Sequence, residues 1–436
     1  MAGLELGKLP LILAGPIVRR VTKDRVAVWI ALRVHASVTL QVIDGNTPSN
    51  LRTSASTPTT QIGSNLHLAL VDLDTSSAPI SEDIVYYYNL KFSDGMSGDL
   101  LSAGNLTPPN VAPAASILSY LSGVTALTGL PSFVIPQSDL NKVRLCQGSC
   151  RKPHADSLDA MAVLDADLAD HVNTPAARAQ QLFLTGDQIY ADDVADSLLV
   201  VIREVARLII GDDLLRNDLP NTDDQLAVGA RAKFVRDTMK FTSDPKPGDF
   251  DPGEVIAKSH VLTFSEFCAM YLLTWSDVLW PRPLTLPDFE DVYPGISPTK
   301  TVTYPEGGTA TFETKQLKRF TRENTALTSF FRSLPKVRRA LANVATYMLL
   351  DDHEVTDDFF INRLWVGNVS TSPEALVVIR NGLLAYAPVS LALAAPTEFG
   401  SADALTTPHG RPVQRPARAS RPPCPPSPGL CSPSAA

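Results

Sequence analysis

The sequence predicts an α/β protein preceded by a β-sandwich, and three observations carry the prediction. Near the N-terminus Val26, Val28 and Ile30 alternate with Arg25, Ala27 and Trp29, and Val38, Leu40 and Val42 repeat the two-residue period. Between Val143 and Leu184 a strand, a loop, a helical pattern and a second strand follow one another. A third apolar run, Ala345 to Leu350, ends in the carboxylate-rich Asp351-Asp352-His353-Glu354. Strands that terminate in acidic loops are how open α/β sheets place carboxylates in the crevice beyond their carboxyl ends.

The elements follow in order. Residues 1–110 read as the sandwich: the runs around Val28 and Leu40 are joined by Leu66, Leu68 and Leu70 and by Ile84 to Leu90. Turn dipeptides Asp44-Gly45 and Asp94-Gly95 punctuate them, as short antiparallel strands require. No residue here suggests chemistry, so a packing or recognition role is expected. Residues 111–140, in a Pro-, Ser- and Ala-rich stretch, read as a linker.

Residues 141–400 read as the α/β domain. Val143 to Cys146 is its first strand, broken by Gly148-Ser-Cys-Arg-Lys-Pro153. Asp156 or Ser157 is placed to cap a helix whose apolar positions are Leu158, Met161, Leu164 and Leu168. Leu182 to Leu184 is the second strand, and a right-handed crossover brings both strand-end loops to one edge. Val194 to Ile210 reads as an amphipathic helix. An insertion at about 211–330 holds a buried aromatic helix, Phe264 to Trp280, and offers a lid over the site. Lys336 to Asn343 is helical before the third strand. Residues 401–436 form a Pro- and Arg-rich tail without Asp or Glu beyond Leu405, a composition that predicts disorder.

Composition narrows the function classes. The 436 residues carry a net charge of −8, which argues against binding a nucleic-acid backbone. Five cysteines, an odd number in a chain able to bury a core, do not form a disulfide framework. No run approaches the roughly 20 apolar residues that span a bilayer. Leu9 to Val18 is interrupted by Pro10 and Pro16 and lacks a basic segment before it, so no signal peptide is read and the cytoplasm is favoured.

Acidic residues cluster at Asp187, Asp192, Asp193 and Asp196, and again at Asp351, Asp352, Glu354, Asp357 and Asp358. Such clusters bind cations or solvate loops. Asp187, at the end of a buried strand, can bridge two cations through its two oxygens, or can cap the following helix. Tyr190 is either a packing tyrosine or a phenolate ligand, the latter favouring a hard, oxidised metal such as ferric iron. Cys150 is a small core residue or a ligand on the same sheet edge. Arg151 and Lys152 can meet an anionic substrate. Asp352 and His353 offer an oxygen and an imidazole for ligation or proton transfer. Glu354, Asp357 and Asp358 stand behind the ligands or at a helix N-terminus.

Gly148-Ser-Cys150, Gly186-Asp-Gln-Ile-Tyr-Ala-Asp192 and Asp351-Asp-His-Glu-Val-Thr-Asp-Asp358, in this order, resemble the alkaline phosphatase D-like (PhoD-like) metallophosphatases. The aromatic segment ending in Trp275-Ser-Asp-Val-Leu-Trp280 agrees, and the resemblance covers roughly residues 12–395. It implies a four-layer α/β/β/α metallophosphatase domain that hydrolyses phosphate mono- or diesters by a metal-bound hydroxide at a two-metal site. Cys150, Asp187 and Tyr190 would hold ferric iron, with Asp187 bridging to a second ion, often calcium, that Asp352 ligates; other divalent metals are compatible. His353 would stand near the leaving group or substrate oxygens or ligate a metal, with Arg151 and Asp187 completing the catalytic set.

Members of that family continue to further strands and a Gly-Asp-x-His-type motif. Here the histidine after His353 is His409, in Thr407-Pro-His-Gly410 within the tail. The expectation is therefore a C-terminally truncated or frame-shifted member with an incomplete site. The alternatives are an inactive remnant serving as a binding or structural module, and a structural calcium-binding protein, which leaves Cys150 and Tyr190 without a role.

Overall fold

The structure is a computed structural model that describes residues 4–48, 51–94, 97–102, 105–106, 117–121, 125, 127–211, 219, 226–228, 231–241, 259–304, 308–357, 359, 361 and 363–388. The tail at 401–436, with His409, Cys424 and Cys431, and also Asp358, lie outside the described residues.

The N-terminal strands are β1 (Ile12–Thr22), β2 (Arg25–Leu32), β3 (Ser37–Asp44), β4 (Leu51–Pro58), β5 (Thr60–Gly63), β6 (Leu66–Asp74), β7 (Tyr86–Ser93), β8 (Gly98–Asp99) and β9 (Ser132–Phe133). They form two antiparallel sheets, of order β1-β2-β6-β5 and β4-β3-β7-β8, with β9 added to β7. Val26, Val28 and Ile30 face Val38, Leu40, Val42, Tyr88 and Leu90 in one apolar core. The alternation in the sequence captures only this face. The opposite face of β2 is buried too, because Trp29 and Ala31 belong to the core of the following domain. Trp29 meets Trp275 edge-on at 6.0 Å and donates its indole N–H to the Pro388 carbonyl, 3.0 Å away.

The second part contains β10 (Leu145–Gly148), α1 (Met161–Asp170), β11 (Gln181–Leu184), α2 (Asp196–Ile209), α3 (Arg231–Phe234), α4 (Phe264–Trp275), α5 (Phe289–Val292), the exposed hairpin β12 (Thr299–Thr303) and β13 (Thr309–Glu313), α6 (Lys315–Asn343), β14 (Ala345–Met348), α7 (Arg363–Val369) and α8 (Pro373–Tyr386). Strands β10, β11 and β14 make a parallel sheet in that order, in register Cys146–Leu182–Thr346 and Gly148–Leu184–Met348. Leu182, Leu184 and Met348 lie in the core shared with α2, α4, α6 and α8. Phe183 and Tyr347, on the other face, stack at 5.1 Å, and Tyr347 leans on the sandwich core. The described residues thus give a mixed α/β protein in which one three-stranded parallel sheet is covered by helices; a second central sheet of a four-layer arrangement is not among them.

Several element boundaries differ from the sequence reading. The first strand lies two residues later, at Leu145–Gly148, and is an edge strand with Leu145 exposed. Helix α1 starts at Met161, and neither Asp156 nor Ser157 caps it; Asp159 accepts from the Met161 N–H at 3.0 Å instead, which leaves Leu158 exposed. The helix read from Lys336 to Asn343 is longer: α6 begins at Lys315, capped by Thr314, and runs through Pro335. Its buried stripe of Phe320, Leu327, Phe330, Leu334, Val337 and Leu341 extends on both sides of the proline. Every residue of α4 is buried, so this helix is core and not cover.

The sandwich also terminates α2. Ser64 and Asn65 donate backbone N–H groups to the Ile210 and Ile209 carbonyls, and the Asn65 amide reaches the Leu208 carbonyl. These are among the carbonyls a helix end leaves unpaired. Gly63 permits the approach, since a Cβ there would come within 2.5 Å of the Ile210 Cα.

Candidate metal centre

Because the three strands are parallel, their carboxyl ends open on one edge, and three loops emerge there together. The loop after β10 carries Cys150, the loop after β11 carries Asp187 and Tyr190, and the turn after β14 carries Asp352 and His353. The loops are cross-linked by backbone. The Cys150 N–H donates to the Gly186 carbonyl (3.3 Å), the Arg151 N–H to the Asp187 carbonyl (2.9 Å), and the Ala191 N–H to the His353 carbonyl (2.8 Å).

The turn that releases Asp187 is tight. Gly186 sits at φ 132°, and a Cβ there would lie 2.2 Å from the Asp351 Cβ. Cys150 and Asp187 themselves adopt φ of 58° and 54°, a region that costs a non-glycine residue about a kcal/mol or more. Glu354 fastens the arrangement. Fully buried, its Oε2 accepts the Asp187 N–H (3.0 Å) and the Asp351 N–H (2.7 Å), and its Oε1 accepts the Gln188 N–H (2.5 Å). Burial pushes the Glu354 carboxyl up to about 7 while these N–H groups pull it back.

At the centre, Asp187 is almost fully buried. Its Oδ2 receives the Cys150 thiol and the Tyr190 hydroxyl, each at 3.2 Å. Its Oδ1 has no hydrogen-bond partner. Burial raises the Asp187 carboxyl, and the Cys150 hydrogen bond and the His353 charge offset this only in part. One oxygen or nitrogen each from Asp187, Asp352 and His353 lie within 4.8 Å of one another. Burial, the neighbouring Asp187 charge and Cys150 push the Tyr190 phenol far up, so it stays protonated unless a cation draws the proton off.

His353 stacks on Tyr190 with ring centres 4.3 Å apart, and its Nδ1 bonds Asp192 at 2.9 Å. That pairing fixes the imidazole and leaves Nε2 available, the way carboxylates orient metal-binding histidines. Burial pulls the imidazole down, but the hydrogen bond and charge of Asp192 outweigh it and hold the group at about 9. Asp192 also accepts the Asp357 N–H at 2.6 Å.

The structure therefore brings Cys150, Asp187, Tyr190, Asp352 and His353 to one place. Arg151 stands differently from the sequence reading. Its guanidinium pairs with Asp159 (2.7 Å to Oδ2), donates to the Thr274 carbonyl and lies 4.5 Å over the Phe330 ring. Lys152 is likewise paired, with Asp193, which His154 also faces at 3.4 Å. Two further positions that hold the loops, Asp192 and Glu354, stand in the sequence as members of acidic clusters, Glu354 also as a group behind the ligands or at a helix N-terminus. Their signal is the Asp192-Asp193 doublet beside Tyr190, and the Glu three residues after Asp351 that marks a capping box.

A cation suits this donor set. A buried carboxylate oxygen with no donor, surrounded by a thiol, a phenol, a second carboxylate and an oriented imidazole, is what a bound metal would satisfy. An oxygen-only neighbour such as Asp352 suits a hard divalent ion.

No family model and no curated protein matches the chain. Among solved structures, one described as the structure of PhoD is similar at 12% identity and a TM-score of 0.37, over 88% of this chain and 47% of that one, so the chain spans about half its length. A Group B Streptococcus pullulanase, SAP, in complex with maltotetraose, aligns at 15% identity and a TM-score of 0.18, over 41% of this chain and 25% of that one. A glycosyl hydrolase family 2 member from Bacteroides cellulosilyticus aligns at 10% identity and a TM-score of 0.14, over 40% and 22%. At these scores the functional reading rests on the site's own geometry.

Proposed function

We propose that the chain is a metal-dependent hydrolase of phosphate mono- or diesters, with ferric iron and calcium as its cations. The observation that carries this reading is the buried, donorless Oδ1 of Asp187 at the meeting point of Cys150, Tyr190, Asp352 and His353. Cys150, Asp187 and Tyr190 would hold the iron, and Asp187 and Asp352 the second ion, with His353 beside them. Cations held there would neutralise phosphate charge and lower the pKa of a water molecule, which phosphoester hydrolysis requires.

The protein's own groups divide the remaining work. His353, oriented by Asp192 and charged at neutral pH, donates a proton to the departing oxygen. Asp187 and Glu354 hold the donor spacing through the shared turn. Arg151, committed to Asp159, positions the Cys150 loop against α4 and α6.

The test is hydrolysis of p-nitrophenyl phosphate and bis(p-nitrophenyl) phosphate with added ferric iron and calcium, beside Asp187→Ala. Metal-dependent turnover that Asp187→Ala abolishes is expected; turnover that survives the substitution refutes the reading. Iron ligation by Tyr190 predicts a visible charge-transfer band that Tyr190→Phe removes.

A further inference from the structure

A cleft of about 610 Å³ adjoins the candidate metal centre, between the sheet and helices α1 and α6. Its floor is Leu182 and Leu184, its walls include Leu164, Trp275, Phe330 and Leu341, and one end is formed by Cys150, Asp187 and Gln188. Ligand sites have this size and this make-up, apolar walls with a few polar groups at one end.

The floor is open because of one residue. Gly148 faces the same side as Leu184, its neighbour in register, and a Cβ on it would meet only the Leu184 Cδ2, at 3.8 Å. A larger side chain there would occupy the cleft without backbone strain.

The charged groups around the mouth offer no free counter-charge. Arg151 is paired with Asp159, and Lys152 with Asp193. A second phosphate or a sugar would meet Arg151 and Lys152 only by drawing them from Asp159 and Asp193, whereas an apolar group would replace water against leucine and aromatic surface.

We infer that the cleft is the site for an apolar alcohol group, alkyl or aryl, of a phosphate ester whose phosphorus lies at the Asp187 end. The inference rests on the metal-dependent hydrolase reading for the placement of phosphorus. The cleft's own ligand preference can be measured without turnover.

The experiment is calorimetric titration of the full chain, loaded with calcium and ferric iron, with n-alkyl phosphonates from ethyl to octyl and with benzyl and naphthylmethyl phosphonates. The expected result is a dissociation constant that falls about fourfold per added methylene until the cleft is full. Inorganic phosphate should bind no tighter than the shortest member. Gly148→Leu and Leu164→Phe, filling from the floor and from a wall, should each flatten the series. The aryl arm distinguishes a broad cleft from one shaped for a chain.

A wild-type series with no length dependence overturns the inference, as does a slope that both filling variants leave intact. If neither variant retains cooperative melting, competition decides: 1-octanol, which lacks phosphate, must weaken octyl phosphonate binding in the wild-type protein. Length-dependent binding without turnover would support the cleft and refute the hydrolase reading. Turnover of p-nitrophenyl phosphate without length dependence in the phosphonate series would do the reverse.

Discussion

Replacing Glu354 by alanine tests whether the two acidic loops are held together by this one carboxylate. The side chain is fully buried and satisfies three backbone N–H groups, from Asp187, Gln188 and Asp351. Removing it leaves all three buried without an acceptor. Each orphaned donor costs about 1–3 kcal/mol, and hydrogen bonds to a charged partner are at the strong end. Part of the loss is recovered because a carboxylate no longer has to be buried beside Asp187. We therefore expect a net destabilisation of about 3–5 kcal/mol in urea unfolding, read at unchanged slope. The effect depends on pH in a stated direction. The folded carboxyl titrates at about 7, above its ordinary 4.5, so the folded metal-free protein keeps a proton that the unfolded chain releases. Its contribution is full below 4.5 and declines as pH rises through 7. Glu354→Ala should accordingly cost more at pH 5 than at pH 8. A loss below about 1 kcal/mol at both values would show that the loops are held by other contacts, and the account of the site's rigidity would be wrong.

Asp187→Asn should stabilise the metal-free protein, because burial already penalises the ionised carboxylate, yet it should remove any metal-dependent rise in melting temperature. Differential scanning calorimetry with and without calcium and ferric iron separates the two. Gly186→Ala, at a φ of 132° and facing the Asp351 side chain, should cost more than about 3 kcal/mol and weaken metal binding further, measured by unfolding and titration. Asp159, Glu266 and Asp277 are raised by burial but held net below the carboxylate range by Arg151, Arg231 and Arg338 respectively. Folded values below unfolded ones mean that this stability is present above about pH 4 and is lost as pH falls through the folded values. Acid unfolding should therefore begin below about pH 4, and Asp277→Asn, which leaves the buried Arg338 without its counter-charge, should destabilise at pH 7 by about 3 kcal/mol.

What the sequence discloses depends on whether a residue's task is local. Asp187 and Tyr190 are legible because a short apolar run ending in Gly-Asp fixes where the next side chains emerge. Cys150 and Asp352 follow once the strands are parallel. The partners of Arg151 are not legible. Asp159 lies eight residues away, but the Thr274 carbonyl and the Phe330 ring come from α4 and α6 and meet the guanidinium only after packing. The same holds for the second buried face of β2, where Trp29 finds Trp275 across the domain boundary. Helix α6 extends further towards the N-terminus than the Lys336–Asn343 segment for a different reason. Proline is a strong local break signal, and its cost was outweighed by a buried stripe that extends on both sides of Pro335.

The site is assembled by backbone contacts before its side chains are asked to do anything. Cys150 and Arg151 are bonded to the Gly186–Asp187 turn, that turn to Glu354, and His353 to Ala191, so the three loops form one closed circuit of hydrogen bonds. Acidic groups placed this close would repel and spread in loops tethered only at their strands. Here the repulsion cannot relax by movement: burial first, and then the Asp352 and Asp351 charges, raise the Asp187 carboxyl, and Asp192 keeps the His353 imidazole charged. A metal-free protein built this way carries a standing electrostatic penalty at its sheet edge. A cation relieves it without requiring the loops to reorganise, because the donors are already within 4.8 Å. On the proposed ligand set, binding energy would go into neutralising carboxylates and displacing the proton from Tyr190, so metal affinity should rise with pH. A metal affinity that is flat from pH 6 to pH 9 would mean that Tyr190 is not a ligand.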